Sequence, residues 1–230
     1  MPLQIQDEET VERVKYYGDN VTIITFKHDN GLIRVFKEYC YHLREPSDFL
    51  SPSNYIRKVH QRQPPPPELL QQLGEPYSTT WIVTRGPMGT SVLCYDWMEG
   101  SHNNPTIHGW RMILQQVNIM HQLDYVHGDL LPRNVIFNNN NQGFVIDFDL
   151  TRKQGERYVE GFNYNDFQDF RHMEAQGGYP MLQEHDVYSL CQMSQLFFDL
   201  EFCWDDINTI HDLLNEFQME AVASGQEHDT

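Results

Sequence analysis

Basic residues are scarce in this chain of 230 residues: 16 Lys and Arg stand against 33 Asp and Glu, a formal net charge of −17. The deficit is local. Of the 17 excess negative charges, 14 lie after residue 154, where only Arg157 and Arg171 are basic. No basic face can be assembled from such a composition, which excludes nucleic acid and anionic membrane surfaces as partners. Cysteines are also few. Cys40, Cys94, Cys191 and Cys203 lie far apart, without the paired spacing of a zinc finger. They read as separate thiols of a reducing, cytoplasmic compartment. No stretch approaches the roughly 18 apolar residues of a membrane span. The N-terminus MPLQIQDEET lacks the basic and apolar regions of a secretory signal. What remains is 40% hydrophobic and 13% aromatic, too apolar for a disordered chain. The length suits one domain, or two small lobes sharing a cleft.

The first hundred residues carry strand patterns. Val11–Tyr17, Val21–Lys27 and Leu32–Tyr39 are rich in β-branched and aromatic residues and are separated by turn-forming Gly, Asp and Asn. Trp81–Arg85 and Ser91–Tyr95 form a second hairpin pattern. Between them, Pro64 to Pro67 favour an extended polyproline segment, a rigid loop rather than an SH3-type ligand. Pro67 also suits the first turn of a short helix through Leu73, stopped by Gly74. After Gly100 the period becomes helical: Trp110, Ile113, Leu114, Val117 and Met120 predict a helix over Thr106–Leu123. Two short apolar runs follow, Val135–Phe137 and Phe144–Ile146, joined by a turn at Asn138–Asn141. Helices are expected at His185–Leu200, apolar on most faces and hence buried, and at Asp205–Val222. Strands first and helices after predict an α+β fold with segregated lobes.

Residues 125–149 read YVHGDLLPRNVIFNNNNQGFVIDFD. Asp129 and Asn134 share one tight loop, and Asp147 ends the hairpin that follows. A carboxylate and an amide oxygen are hard ligands suited to Mg²⁺ carrying phosphates. A second carboxylate kept off the metal can orient a hydroxyl nucleophile.

This segment resembles the catalytic loop and metal-binding segment of the protein-kinase-like superfamily, in particular its HGD-type branch. That branch holds small atypical protein kinases and the aminoglycoside and choline phosphotransferases. The resemblance implies a bilobal fold, with a β-rich N-lobe over 1–97, a truncated helical C-lobe over 98–222 and a flexible tail at 223–230. It implies ATP and Mg²⁺ as cofactors, Asp129 as the catalytic aspartate, Asn134 and Asp147 as magnesium ligands, and His127 as a structural histidine beneath the loop. Lys37, ending the strand Ile33–Lys37, matches the lysine that grips phosphates, and Asp186 matches the buried aspartate that holds the loop backbone. Gly18 marks the first turn, and Tyr95 and Trp97 fall at the adenine-facing hinge.

Several features depart from the family pattern. No glycine-rich loop precedes Lys37, and the glutamate that should pair with it is either Glu45 or Glu68. No A-P-E follows the metal segment, and Asp149 replaces the glycine of D-F-G. Leu131 stands where many kinases place a lysine, and Arg133 is the residue expected to supply that charge. Phosphoryl transfer to a protein Ser/Thr is the leading expectation, with a small-molecule phosphotransferase and a pseudokinase scaffold as rivals. The acidity beyond residue 154 implies a basic acceptor. His102 with His108, and His121 with His127, lack a third metal ligand, and Ser189 lacks the context of a hydrolase nucleophile.

Overall fold

The computed structural model describes residues 9–17, 21–28, 33–40, 65–77, 81–85, 90–96, 100–159, 167–202, 207 and 209–223. The chain divides into two compact units, Met1–Met98 and Glu99–Thr230.

The first unit holds an antiparallel five-stranded sheet in the order β1-β2-β3-β5-β4. Its strands are β1 (Glu9–Tyr17), β2 (Val21–His28), β3 (Ile33–Cys40), β4 (Trp81–Arg85) and β5 (Thr90–Asp96). Each lies within two residues of its expected place, because β-branched and aromatic runs favour the pleated conformation. A register shift between Val11 and Arg13 interrupts the β1–β2 pairing. Lys37 lies on the central strand β3, opposite Ile23 of β2 and Leu93 of β5. Helix α1 (Pro67–Leu73) starts with proline in its first turn and ends at Gly74 with φ 73°. Proline lacks only an N–H that a first turn leaves unpaired anyway, and glycine takes the positive φ without a Cβ clash.

In the second unit, helix α2 (Ile107–Gln122) begins where Thr106 accepts a hydrogen bond from the Gly109 N–H at 3.1 Å. Trp110, Ile113, Leu114, Val117 and Met120, the stripe read from the sequence, are all fully buried. Two short ribbons follow. One pairs β6 (Tyr125–Val126) with β9 (Arg152–Lys153), and the other pairs β7 (Val135–Phe137) with β8 (Gly143–Val145). Gln116 of α2 donates to the Gly143 carbonyl at 2.8 Å and accepts from the Val145 N–H at 2.9 Å, closing the open edge of β8. The backbones of Gly143 and Gly109 come so close that a Cβ on Gly143 would strike the Gly109 carbonyl. Asn138 makes the β7–β8 turn, its Oδ1 accepting from the N–H groups of Asn140 and Gln142.

Helix α3 (Gln183–Phe198) begins two residues before its expected start. It is not apolar on most faces: His185, Asp186, Ser189 and Ser194 are buried, while Leu196 is exposed. Most of these buried polar atoms are hydrogen-bonded. Ser194, for instance, accepts from the Trp110 indole at 3.0 Å. Helix α4 (Ile210–Ala223) starts five residues later than expected. The cause is a reciprocal cap: Thr209 Oγ1 accepts from the Asp212 N–H at 3.2 Å, and Asp212 accepts from the Thr209 N–H at 2.9 Å. Leu213 and Phe217 of α4 are fully buried. Among the described residues no helix is long and apolar enough to cross a membrane.

Candidate functional site

The β6–β9 and β7–β8 ribbons frame the loop 127–134 and the turn 146–151. His127 is fully buried at the base of the loop. Its Nε2 donates to the Ile146 carbonyl at 3.1 Å, and its Nδ1 accepts from the Asp129 N–H at 3.2 Å. These two bonds require the ring proton on Nε2. Gly128 has φ 75°, a conformation that glycine takes without strain, and a Cβ there would require the Met181 methyl to move.

Asp186 of α3 holds the same loop from below. Its carboxylate accepts from the N–H groups of His127 at 2.8 Å and Gly128 at 3.1 Å, and lies 3.1 Å from His121 Nε2. Burial alone would raise the pKa of this carboxyl. The hydrogen bond and field of His121, helped by the backbone bond from His127, lower it instead.

Asp129 is 6% exposed. The Asn134 amide donates to its main-chain oxygen at 2.7 Å and to its Oδ2 at 3.0 Å. With that nitrogen committed, the carbonyl oxygen is the atom Asn134 can turn toward a cation. The main-chain oxygen of Asn134 accepts from the Ile146 N–H at 2.8 Å, tying the loop to the residue before Asp147. Asp147 is half-buried and takes the left-handed conformation, φ 64° and ψ 59°. The positive φ thus falls on Asp147 rather than on Asp149, the position of the family's glycine. Asp149 is buried in the turn Phe148–Leu150. An amide and a carboxylate oxygen on adjoining turns fit a hard divalent cation such as Mg²⁺.

Arg133 lies 3.6 Å from Asp129 Oδ2, half exposed, with its guanidinium 4.6 Å from the centre of the Phe167 ring. Arg171 makes the closer contact: its buried guanidinium donates to Asp129 Oδ1. In the sequence Arg171 stands out only as one of two basic residues in an acidic region. A separation of 42 residues carries no local signal. Lys37 and Tyr95 lie on β3 and β5 of the other unit. Glu68 is exposed on α1. Gly18, Trp97 and Glu45 lie outside the described residues.

His185 adjoins this framework. Its ring stacks on His172 at 4.9 Å with the planes 14° apart, and its Nδ1 lies 3.1 Å from the Tyr158 hydroxyl. With Glu174 the two histidines offer three ligand-type groups. Parallel stacked rings, however, serve packing rather than convergence on an ion. His185 Nε2 is buried without a hydrogen-bond partner among the described residues. Burial first, and the neighbouring His172 second, push the His185 pKa from 6.5 to about 4. Between those values the unfolded chain binds a proton that the folded chain does not. Stability is therefore complete above about pH 6.5 and falls as the pH drops toward 4. Thermal denaturation at pH 7 and pH 5 checks this: the melting temperature drops, and a His185→Gln variant loses less of it across that interval than the wild type.

No family model matches the chain. A stretch of 72 residues is 33% identical to the serine/threonine-protein kinase Kist of Mus musculus and to that of Homo sapiens. It covers 31% of this chain and 17% of those proteins, so the chain spans only about a sixth of the curated relatives it matches. A part of the molecule is thus similar to a serine/threonine kinase. The fold class is α+β, with small sheets and helices.

Proposed function

We propose that the chain is a bilobal protein-kinase-like phosphotransferase that moves the γ-phosphoryl group of Mg·ATP to a hydroxyl, in the first instance a protein Ser or Thr. The observation carrying this reading is the loop itself. Asp129 is oriented by Asn134 five residues on, His127 is plugged beneath it, and Asp186 anchors its backbone. In this reading Asp129 takes the proton of the acceptor hydroxyl as the acceptor oxygen bonds to the γ-phosphorus. The bond from that phosphorus to the bridging oxygen breaks, and ADP leaves with its electron pair. Asn134 and Asp147 would hold Mg²⁺, which supplies charge neutralisation for the phosphates. Lys37 of the β-sheet would grip the phosphates, and Arg133, on the exposed side of Asp129, would meet the incoming group.

The charge distribution supports a basic acceptor. Asp169 and Glu174 are exposed on either side of Arg171, in the segment that follows the metal-binding turn. Two features favour a pseudokinase scaffold: the first turn offers one glycine, Gly18, which gives little backbone for cradling phosphates, and no glutamate is assigned as the partner of Lys37. A panel of Mg·ATP with Ser/Thr peptides of opposite charge, beside sugars and amino alcohols, tests the proposal. Phosphate is expected on peptide hydroxyls, with basic peptides at least tenfold better by kcat/KM than acidic ones, a difference typical of electrostatic steering. Transfer only to small alcohols would move the acceptor class, and no transfer to anything would defeat the phosphotransferase reading.

A further inference from the structure

The loop around Asp129 carries no buried cation of its own. Leu131, two residues on, is apolar and fully buried, and Arg133 is half exposed beside Phe167. The cation comes instead from Arg171, 42 residues away in sequence and buried against Asp129.

Helix α3 sets that arginine in place through both of its neighbours. The Ser189 hydroxyl donates to the Phe170 carbonyl at 2.6 Å. On the other side the His172 ring stacks on His185 and meets Tyr188 edge-on at 5.5 Å. The same helix supplies Asp186, which holds the loop backbone. One rigid element therefore fixes both partners of the Arg171–Asp129 pair. Withdrawing Arg171 would break the Ser189 bond, unstack His172 and strand two buried charges, a combination that proteins avoid. This is the construction of a permanent part rather than of a removable plug.

We propose that Arg171, rather than Arg133, is the arginine of the transfer step: it positions Asp129 and offsets negative charge on the transferring phosphoryl group. A guanidinium suits both tasks, since its planar five-donor fork can hold a carboxylate and a phosphoryl oxygen at once. The role presupposes phosphoryl transfer at Asp129, as proposed above.

The test uses the full chain, with Mg·ADP alone, Mg·ADP plus fluoroaluminate as a mimic of the transferring group, and Mg·ATP hydrolysis. Wild type should be stabilised by Mg·ADP in thermal denaturation and stabilised further when fluoroaluminate is added. Arg171→Ala should keep the first shift and lose the second. Its kcat should fall on the order of 100-fold, the usual loss for one oriented donor, with KM for Mg·ATP little changed. Arg171→Lys should recover part of the loss. Free guanidinium ion should raise the Arg171→Ala rate and leave that of Asp129→Asn unchanged. Arg133→Ala should cost roughly tenfold less than Arg171→Ala if the nearer, buried donor dominates. Arg171→Ala with an intact fluoroaluminate shift, or with a rate equal to or above wild type, overturns the assignment while leaving phosphoryl transfer standing. Loss in Arg171→Ala that neither lysine nor guanidinium relieves would make the residue merely structural. Absence of any Mg·ADP shift in wild type would instead bring down the transfer reading itself.

Discussion

Asp129→Asn lowers the rate of Mg·ATP consumption by about 1,000-fold, within the range for removing a positioned general base, and leaves KM for Mg·ATP near its wild-type value. Asparagine keeps the size of the side chain and an oxygen for the Arg171 guanidinium, but it removes the charge that pairs with Arg171 and turns an NH₂ toward the Asn134 amide, so part of the stability is lost. It can no longer take the proton of an attacking hydroxyl. Alanine would be the poorer probe. It would leave Arg171 buried and unpaired, and stranding one member of a buried pair costs about 3–5 kcal/mol, confusing chemistry with folding. Steady-state kinetics beside thermal denaturation separates the two: the rate collapses in Asp129→Asn while the melting temperature falls less than in Asp129→Ala. A variant with wild-type kcat would show that Asp129 takes no part in turnover.

Asp186→Ala destabilises the second unit by about 4 kcal/mol, the sum expected when several buried donors lose their acceptor. The carboxylate serves two loop N–H groups and His121, and all three lie in the interior. None of these donors gains water when the acceptor is removed. The melting temperature should fall by roughly 10 °C for a protein of this size. Asp186→Asn retains one oxygen but turns an NH₂ toward a donor, so it recovers only part of the loss. Turnover falls with both variants, because the backbone that aims Asp129 is no longer anchored. Wild-type melting in Asp186→Ala would mean that the loop is held by other contacts.

Several parts of this arrangement are legible in the sequence because they are local. The stripe Trp110–Met120 has a helical period, and Thr106 caps it. Pro67 and Gly74 bound a short helix by their backbone restrictions alone. His127, Asp129 and Asn134 lie within eight residues, so their spacing nearly dictates their geometry. Asp186 is legible only through the family resemblance, since its partners stand 58 to 65 residues away. Arg171 has no such local signal, for its contact with Asp129 exists only once α3 has packed both segments. The polar burial of α3 was missed for the same reason: Ser189 and Ser194 acquire partners only in the folded unit. Asp147 shows a further limit. Composition places a carboxylate after Ile146, but its left-handed backbone is imposed by the turn that follows.

The measurement that tests the central claim most directly is transfer of labelled γ-phosphate from Mg·ATP to a basic Ser/Thr peptide, run side by side for wild type and Asp129→Asn. The account predicts phosphopeptide and ADP in equal amounts from wild type and none above background from the variant. Equal transfer by both proteins, or none by wild type, would contradict it.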